Sequence, residues 1–108
     1  MKLNLVRPLC FFDLETTGIN ITNDRIVEIG ILKIFPDGKK KEMNTLVNPE
    51  MTIPKQASDI HGITNDKVDS MPTFKTLSKK IYSFIKDSDL AGFNSDRFDI
   101  PLLVEEFL

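Results

Sequence analysis

Two carboxylates stand one residue apart in the stretch FFDLETTG, residues 11–18. Asp13 and Glu15 close a run of apolar residues, and Thr16, Thr17 and Gly18 follow at once. In an extended chain, residues two apart point the same way and lie roughly 6.6 Å apart, from a rise of about 3.3 Å per residue. Two anions held together away from bulk water repel each other. A shared proton relieves that repulsion, and so does a divalent cation; hard oxygen donors of this type suit Mg²⁺ or Mn²⁺. An isolated D-x-E is short and common, and by itself it fits a solvated turn equally well. The small residues after it add a second property. Their short side chains and backbone N–H groups leave room for a phosphate or a ribose to come close.

A second constellation, GFNSDRFDIPLL, lies far along the chain at residues 92–103. Asp99 opens a predicted helix directly after a predicted strand, at the edge where ligands collect in α/β sheets. An N-cap is the plainer role for Asp99, a turn for Asn94 and core packing for Phe98. Asp96, inside the same segment, reads as a solvent-exposed loop acid.

These groups need elements to hold them. A first strand begins near Leu9, after Pro8, and RIVEIGILKIF (25–35) is too rich in Ile and Val to prefer helix. PDGKK supplies tight-turn chemistry, and KKEMNTLVN returns as a third strand, so an antiparallel hairpin is expected. Residues 54–61 and 64–69 each suit a short helix, separated by a break at Gly62. In TFKTLSKKIYSFIKD the apolar residues Phe74, Leu77, Ile81, Phe84 and Ile85 recur at helical steps behind a Thr73 N-cap. A short strand at 89–93 and a helix from Asp99, with Pro101 in its first turn, complete the pattern. The order β-β-β-α-β-α predicts a mixed α/β sheet with an antiparallel N-terminal meander and helical crossovers. The last helix runs to Leu108 with no stop signal, the pattern of a chain cut short at its C-terminus.

Composition sets the outer limits. A chain of 108 residues holds one small domain, and 41% hydrophobic with 28% charged content is that of an ordinary globular protein. A net charge of −2 gives no bulk attraction for nucleic acid, though it leaves local binding open. The single cysteine, Cys10, excludes an internal disulfide and reads as a buried thiol in a reducing cytoplasm. No apolar stretch is long enough for a membrane span, and no signal-peptide core is present, so a cytoplasmic location is expected. Glu28 interrupts the second strand and is expected to accept backbone hydrogen bonds near the first motif. The lysines at 39–41 fit an edge strand kept soluble by charge. Met43, Met51 and Met71 read as packing residues, and Tyr82 as the flank of its helix.

Taken together, FFDLETTG, RIVEIG, HGIT (61–64) and NSDRFD resemble the motifs of the DEDD, RNase H-like 3′–5′ exonuclease superfamily, in the family's order and across nearly the whole chain. Within it they are most similar to the epsilon-type proofreading subunits of bacterial DNA polymerase III. The resemblance implies that Asp13, Glu15 and Asp99 are catalytic acids holding two divalent cations, Mg²⁺ or Mn²⁺. It implies contacts to the strand end from Leu14, Thr16, Thr17, Gly18, His61, Ile63, Asn94 and Phe98. The implied substrate is the single-stranded 3′ end of DNA, with RNA as the alternative, and a polymerase catalytic subunit is the implied partner. Residues 1–108 are expected to form the N-terminal portion of one exonuclease domain. The family's third motif, with a His or Tyr general base and a fourth acid, has no counterpart after the second motif. His61 lies upstream and does not replace it. A non-catalytic binding module and a phosphatase using the same acids are the competing expectations.

Overall fold

The computed structural model describes residues 5–20 and 22–92. Three strands come first, β1 (Leu9–Thr16), β2 (Ile26–Ile34) and β3 (Lys40–Leu46). Helices α1 (Lys55–His61), α2 (Asn65–Val68) and α3 (Phe74–Ile85) follow, and β4 (Asp89–Gly92) returns to the sheet. The sheet order is β3-β2-β1-β4, antiparallel through the meander and parallel between β1 and β4. This is the mixed α/β architecture expected from the sequence. Asn94, Asp96, Phe98, Asp99 and the helix expected after them lie outside the described residues.

Alternation along β1 decides which face is covered. Cys10, Phe12 and Leu14 are buried, while Phe11, Asp13 and Glu15 take the other parity. The buried set joins Ile29, Ile31 and Met43 beneath Phe74, Leu77 and Ile81 of α3, with Phe84 and Ile85 packed at the margin. Burying each such side chain stabilises the fold by about 1.5–3 kcal/mol, which is why α3 docks on this face. The Thr73 hydroxyl caps the helix by accepting the Thr76 N–H at 3.3 Å. Lys33 Nζ reaches from the sheet to donate to the Phe84 carbonyl at 2.8 Å, tying the last turn of the helix down. Cys10 is a free, buried thiol, and desolvation pushes its pKa up against smaller lowering effects of Ser88 and Lys33.

Two local irregularities shape the site. At the hairpin, Gly38 has φ +88°, a value that favours glycine, and its N–H closes the turn onto the Phe35 carbonyl at 2.9 Å. At the far end of β2, Glu15 pairs with Glu28 but Thr16 pairs with Ile26, so Val27 has no residue opposite it in β1. Ile26 joins the core beneath α3. Val27 enters a second, smaller cluster with Ile53, Ala57, Ile63 and Val68, the footing of α1 and α2.

Two expectations need correction. Glu28 accepts no hydrogen bond among the described residues; as an exposed-face residue of β2 it stands directly across from Glu15. Met51 is 39% exposed rather than packed, with its sulfur 3.6 Å from the Thr17 hydroxyl. Met43 is buried, and Tyr82 is exposed on the flank of α3, both as expected. Lys40 and Lys41 lie exposed on β3, at the sheet edge. Among the described residues no helix is long and apolar enough to cross a membrane.

Candidate functional site

The carboxyl end of β1 presents both acids of the first motif on the face that α3 leaves open. Asp13 is exposed and Glu15 half-buried. Leu14, between them, sends its side chain into the core beneath α3 and pairs with Ile29 in the ladder. Across the sheet, Asp13 is in register with Gly30 and then Asn44. A Cβ at Gly30 would sit 2.6 Å from Asn44 Oδ1, so the missing side chain lets the amide lie over the middle strand. Beside this row Phe11, Leu32 and Ile34 floor a concavity of about 620 Å³ with an apolar base. Asp13 stands on its margin.

Glu15 opens instead onto a separate groove of about 480 Å³. One wall carries Thr16 at the end of β1 with Gly18 and Ile19 of the loop that follows, and the other carries Ile60 and His61 of α1. The loop wall is held by hydrogen bonds centred on Asp24. One carboxylate oxygen accepts the Thr17 hydroxyl at 2.8 Å and the other accepts the Asn20 N–H at 2.8 Å. The Thr17 oxygen in turn accepts the Arg25 N–H at 3.0 Å, while the Thr17 N–H donates to the Arg25 carbonyl at 2.9 Å. Thr17 is therefore 1% exposed and fully engaged. The backbone N–H groups expected to be free after Glu15 do not include this one. Thr16 turns its hydroxyl hydrogen to the Gly18 carbonyl at 2.7 Å, keeping only lone pairs for a ligand.

Gly18 follows from the same arrangement. A Cβ there would run into Asp24 Oδ2, so a side chain is excluded by a carboxylate already held in place. On the helix wall, His61 Nε2 is 3.0 Å from the Thr16 carbonyl oxygen, and Nδ1 accepts the Ile63 N–H at 3.0 Å. Ile63 is buried in the small cluster with Val27.

The structure thus brings Asp13 and Glu15 together, and gathers Thr16, Gly18 and His61 around the adjoining groove. It sets the Leu14, Thr17 and Ile63 side chains behind these groups. Among the described residues no set of three or more His, Cys, Asp or Glu is placed to hold a metal. Asp99, the third acid, and Asn94 and Phe98 lie outside the described residues. Three residues on the groove were not foreseen. Asp24 is legible only as one of several loop acids. Ile19 and Ile60 both line the groove and are 91% and 84% exposed, and an exposed isoleucine carries no mark in sequence that separates it from a core one.

Comparison with known proteins adds the following. A family model of exonucleases, RNase T, matches residues 10–108. The DNA polymerase III epsilon subunit of Buchnera aphidicola subsp. Schizaphis graminum is 36% identical over 113 residues, covering 97% of this chain and 47% of that protein. The epsilon subunit of Treponema pallidum is 36% identical over 95 residues, covering 88% of this chain and 44% of that protein. The chain therefore spans about half the length of these relatives. Among solved structures, E. coli Exonuclease I in complex with a dT13 oligonucleotide superposes with a TM-score of 0.82 at 19% identity. It covers 94% of this chain and 23% of that one, a likeness of fold.

Proposed function

Because the chain belongs to the RNase T exonuclease family, we propose that it serves metal-dependent 3′–5′ exonucleolytic hydrolysis of DNA, in a proofreading subunit of epsilon type. The observation that carries this is the pair of acids at the exit of β1, one exposed and one half-buried, beside a groove whose loop wall is already ordered. Two carboxylates on one face of the strand fit hard divalent cations. Asp13 and Glu15, with Asp99 as the third acid, are the residues that would hold Mg²⁺ or Mn²⁺. When bound, a metal pair supplies an activated water and neutralises charge on the phosphate.

The chain's own part is to present the strand end. Ile19 and Ile60 face the groove from its two walls without hydrogen-bonding groups, so they grip a terminal base by apolar contact and read no sequence. The lone pairs of Thr16 and the backbone beside Gly18 meet the terminal sugar. Asn94 and Phe98 are the further residues that the second motif assigns to the strand end. A single-stranded end fits better than duplex, because a base must leave its stack to meet these apolar side chains. DNA is preferred to RNA, and a polymerase catalytic subunit is the expected partner; both follow from relatives named as DNA polymerase III subunits.

The test is release of mononucleotides from a 3′-labelled single-stranded DNA oligonucleotide with Mg²⁺ or Mn²⁺. Asp13→Ala should lower the rate about a thousandfold, since a metal pair contributes several kcal/mol to the transition state. An unchanged rate in that variant sinks the assignment. Competition with a matched RNA oligonucleotide decides the sugar preference.

A further inference from the structure

His61 lines the groove where a ligand would reach it, yet both of its ring nitrogens are committed inside the protein. The Ile63 N–H donates to Nδ1 at 3.0 Å. A ring nitrogen that accepts a hydrogen bond carries no proton, so the ring hydrogen sits on Nε2. Nε2 is 3.0 Å from the Thr16 carbonyl oxygen, which can only accept. The two bonds select the same tautomer.

The surroundings explain why this bridge exists. The ladder between β1 and β2 slips between Glu15 and Thr16, and a carbonyl beside a bulge needs a partner from elsewhere. His61 brings that partner from 45 residues away. Gly62 lies in the left-handed region at φ +73°, which turns the Ile63 N–H back onto the ring. Ile63 is anchored in the cluster with Val27, and Lys67 Nζ donates to the Gly62 carbonyl at 2.9 Å. The ring therefore stands on a fixed base.

We propose that His61 is a positioning residue that acts through Thr16. By holding the Thr16 carbonyl it fixes the peptide between Thr16 and Thr17 at the exit of β1, and with it the chain that leaves Glu15 at the mouth of the groove. The proposal rests on the exonuclease reading for its kinetic test. It gives His61 neither a proton-transfer role nor the direct contact to the strand end that the motif implies.

Two conservative variants separate the two ends of the bridge. His61→Gln places an amide nitrogen near Nε2 and keeps the donor to Thr16. His61→Asn places an amide oxygen near Nδ1 and keeps only the acceptor for Ile63. On single-stranded DNA with Mn²⁺, His61→Asn should lower kcat about tenfold with KM within about twofold, and His61→Gln should stay within about twofold of the unaltered protein. A raised KM at unchanged kcat in both variants marks a direct substrate contact and overturns the proposal. So does a glutamine variant as slow as the asparagine one. If the unaltered protein cuts no DNA, the same ranking is read in Mn²⁺ affinity by EPR, where equal affinities of the two variants overturn it. Imidazole ¹⁵N NMR of the unaltered protein is independent of cleavage. It should show protonated Nε2 and accepting Nδ1, and the opposite tautomer rejects the bridge.

Discussion

Asp13 and Glu15 are two residues apart on one strand and share a face, yet they open onto unlike surroundings. Beside Asp13 lies an apolar shelf, floored by Phe11, Leu32 and Ile34, where the absence of a side chain at Gly30 lets the Asn44 amide lie over the middle strand. Beside Glu15 lies a groove whose loop wall is tied internally through Asp24, Thr17 and Asn20. The shelf gets its shape from what is missing and the groove from hydrogen bonds already made. The difference teaches that strand parity decides where a side chain points, while neighbouring loops decide how firmly it is aimed. Preorganised polar contacts of the second kind are what position reacting groups.

Substitutions on the two sides should therefore fail in different ways. The largest contrast is at Asp13: Asp13→Ala lowers activity as set out above, yet its thermal melting temperature should stay within about 2–4 °C (about 0.5 kcal/mol), because the side chain is exposed. A marked fall in melting temperature would make Asp13 a structural residue. Asp24→Ala should do the reverse. It leaves the buried Thr17 hydroxyl and the Asn20 N–H without their acceptor, and urea titration should register a loss of about 2–3 kcal/mol. Gly18→Ala comes next, at about 1–2 kcal/mol, since its Cβ meets a carboxylate that two hydrogen bonds restrain. Gly30→Ala is the smallest, within about 0.5 kcal/mol. Its Cβ meets Asn44 Oδ1 at a similarly short distance, but that amide belongs to an exposed side chain that can swing away. Equal costs for the two glycine variants would erase the distinction between shelf and groove.

Much of this was legible in the sequence where the signal is periodic or chemically marked. The alternation of β1, the Asp-Gly turn of the hairpin and the apolar stripe of α3 each follow from side chains close in sequence. That Asp13 and Glu15 share a face was legible because their spacing matches the strand repeat. The groove was harder to foresee, because its order depends on long-range pairings. Nothing at Asp24 announces that its carboxylate will press against Gly18. Nothing at His61 announces a carbonyl partner 45 residues earlier. The bulge was equally hidden, since Ile26 and Val27 are both apolar β-branched residues and no composition rule says which of them will lose its pairing.

That unmatched residue also bears on how the domain can change. Ile26 and Val27 are joined by one peptide bond, yet they anchor separate hydrophobic masses, one under α3 and one under α1 and α2. A volume change at 27 reaches Ala57 and Ile63, the foundations of the wall that bears Ile60 and His61. One step earlier, the same change is absorbed by the seam beneath α3. The shape of the groove can thus drift at a single position while the main scaffold stays as it was.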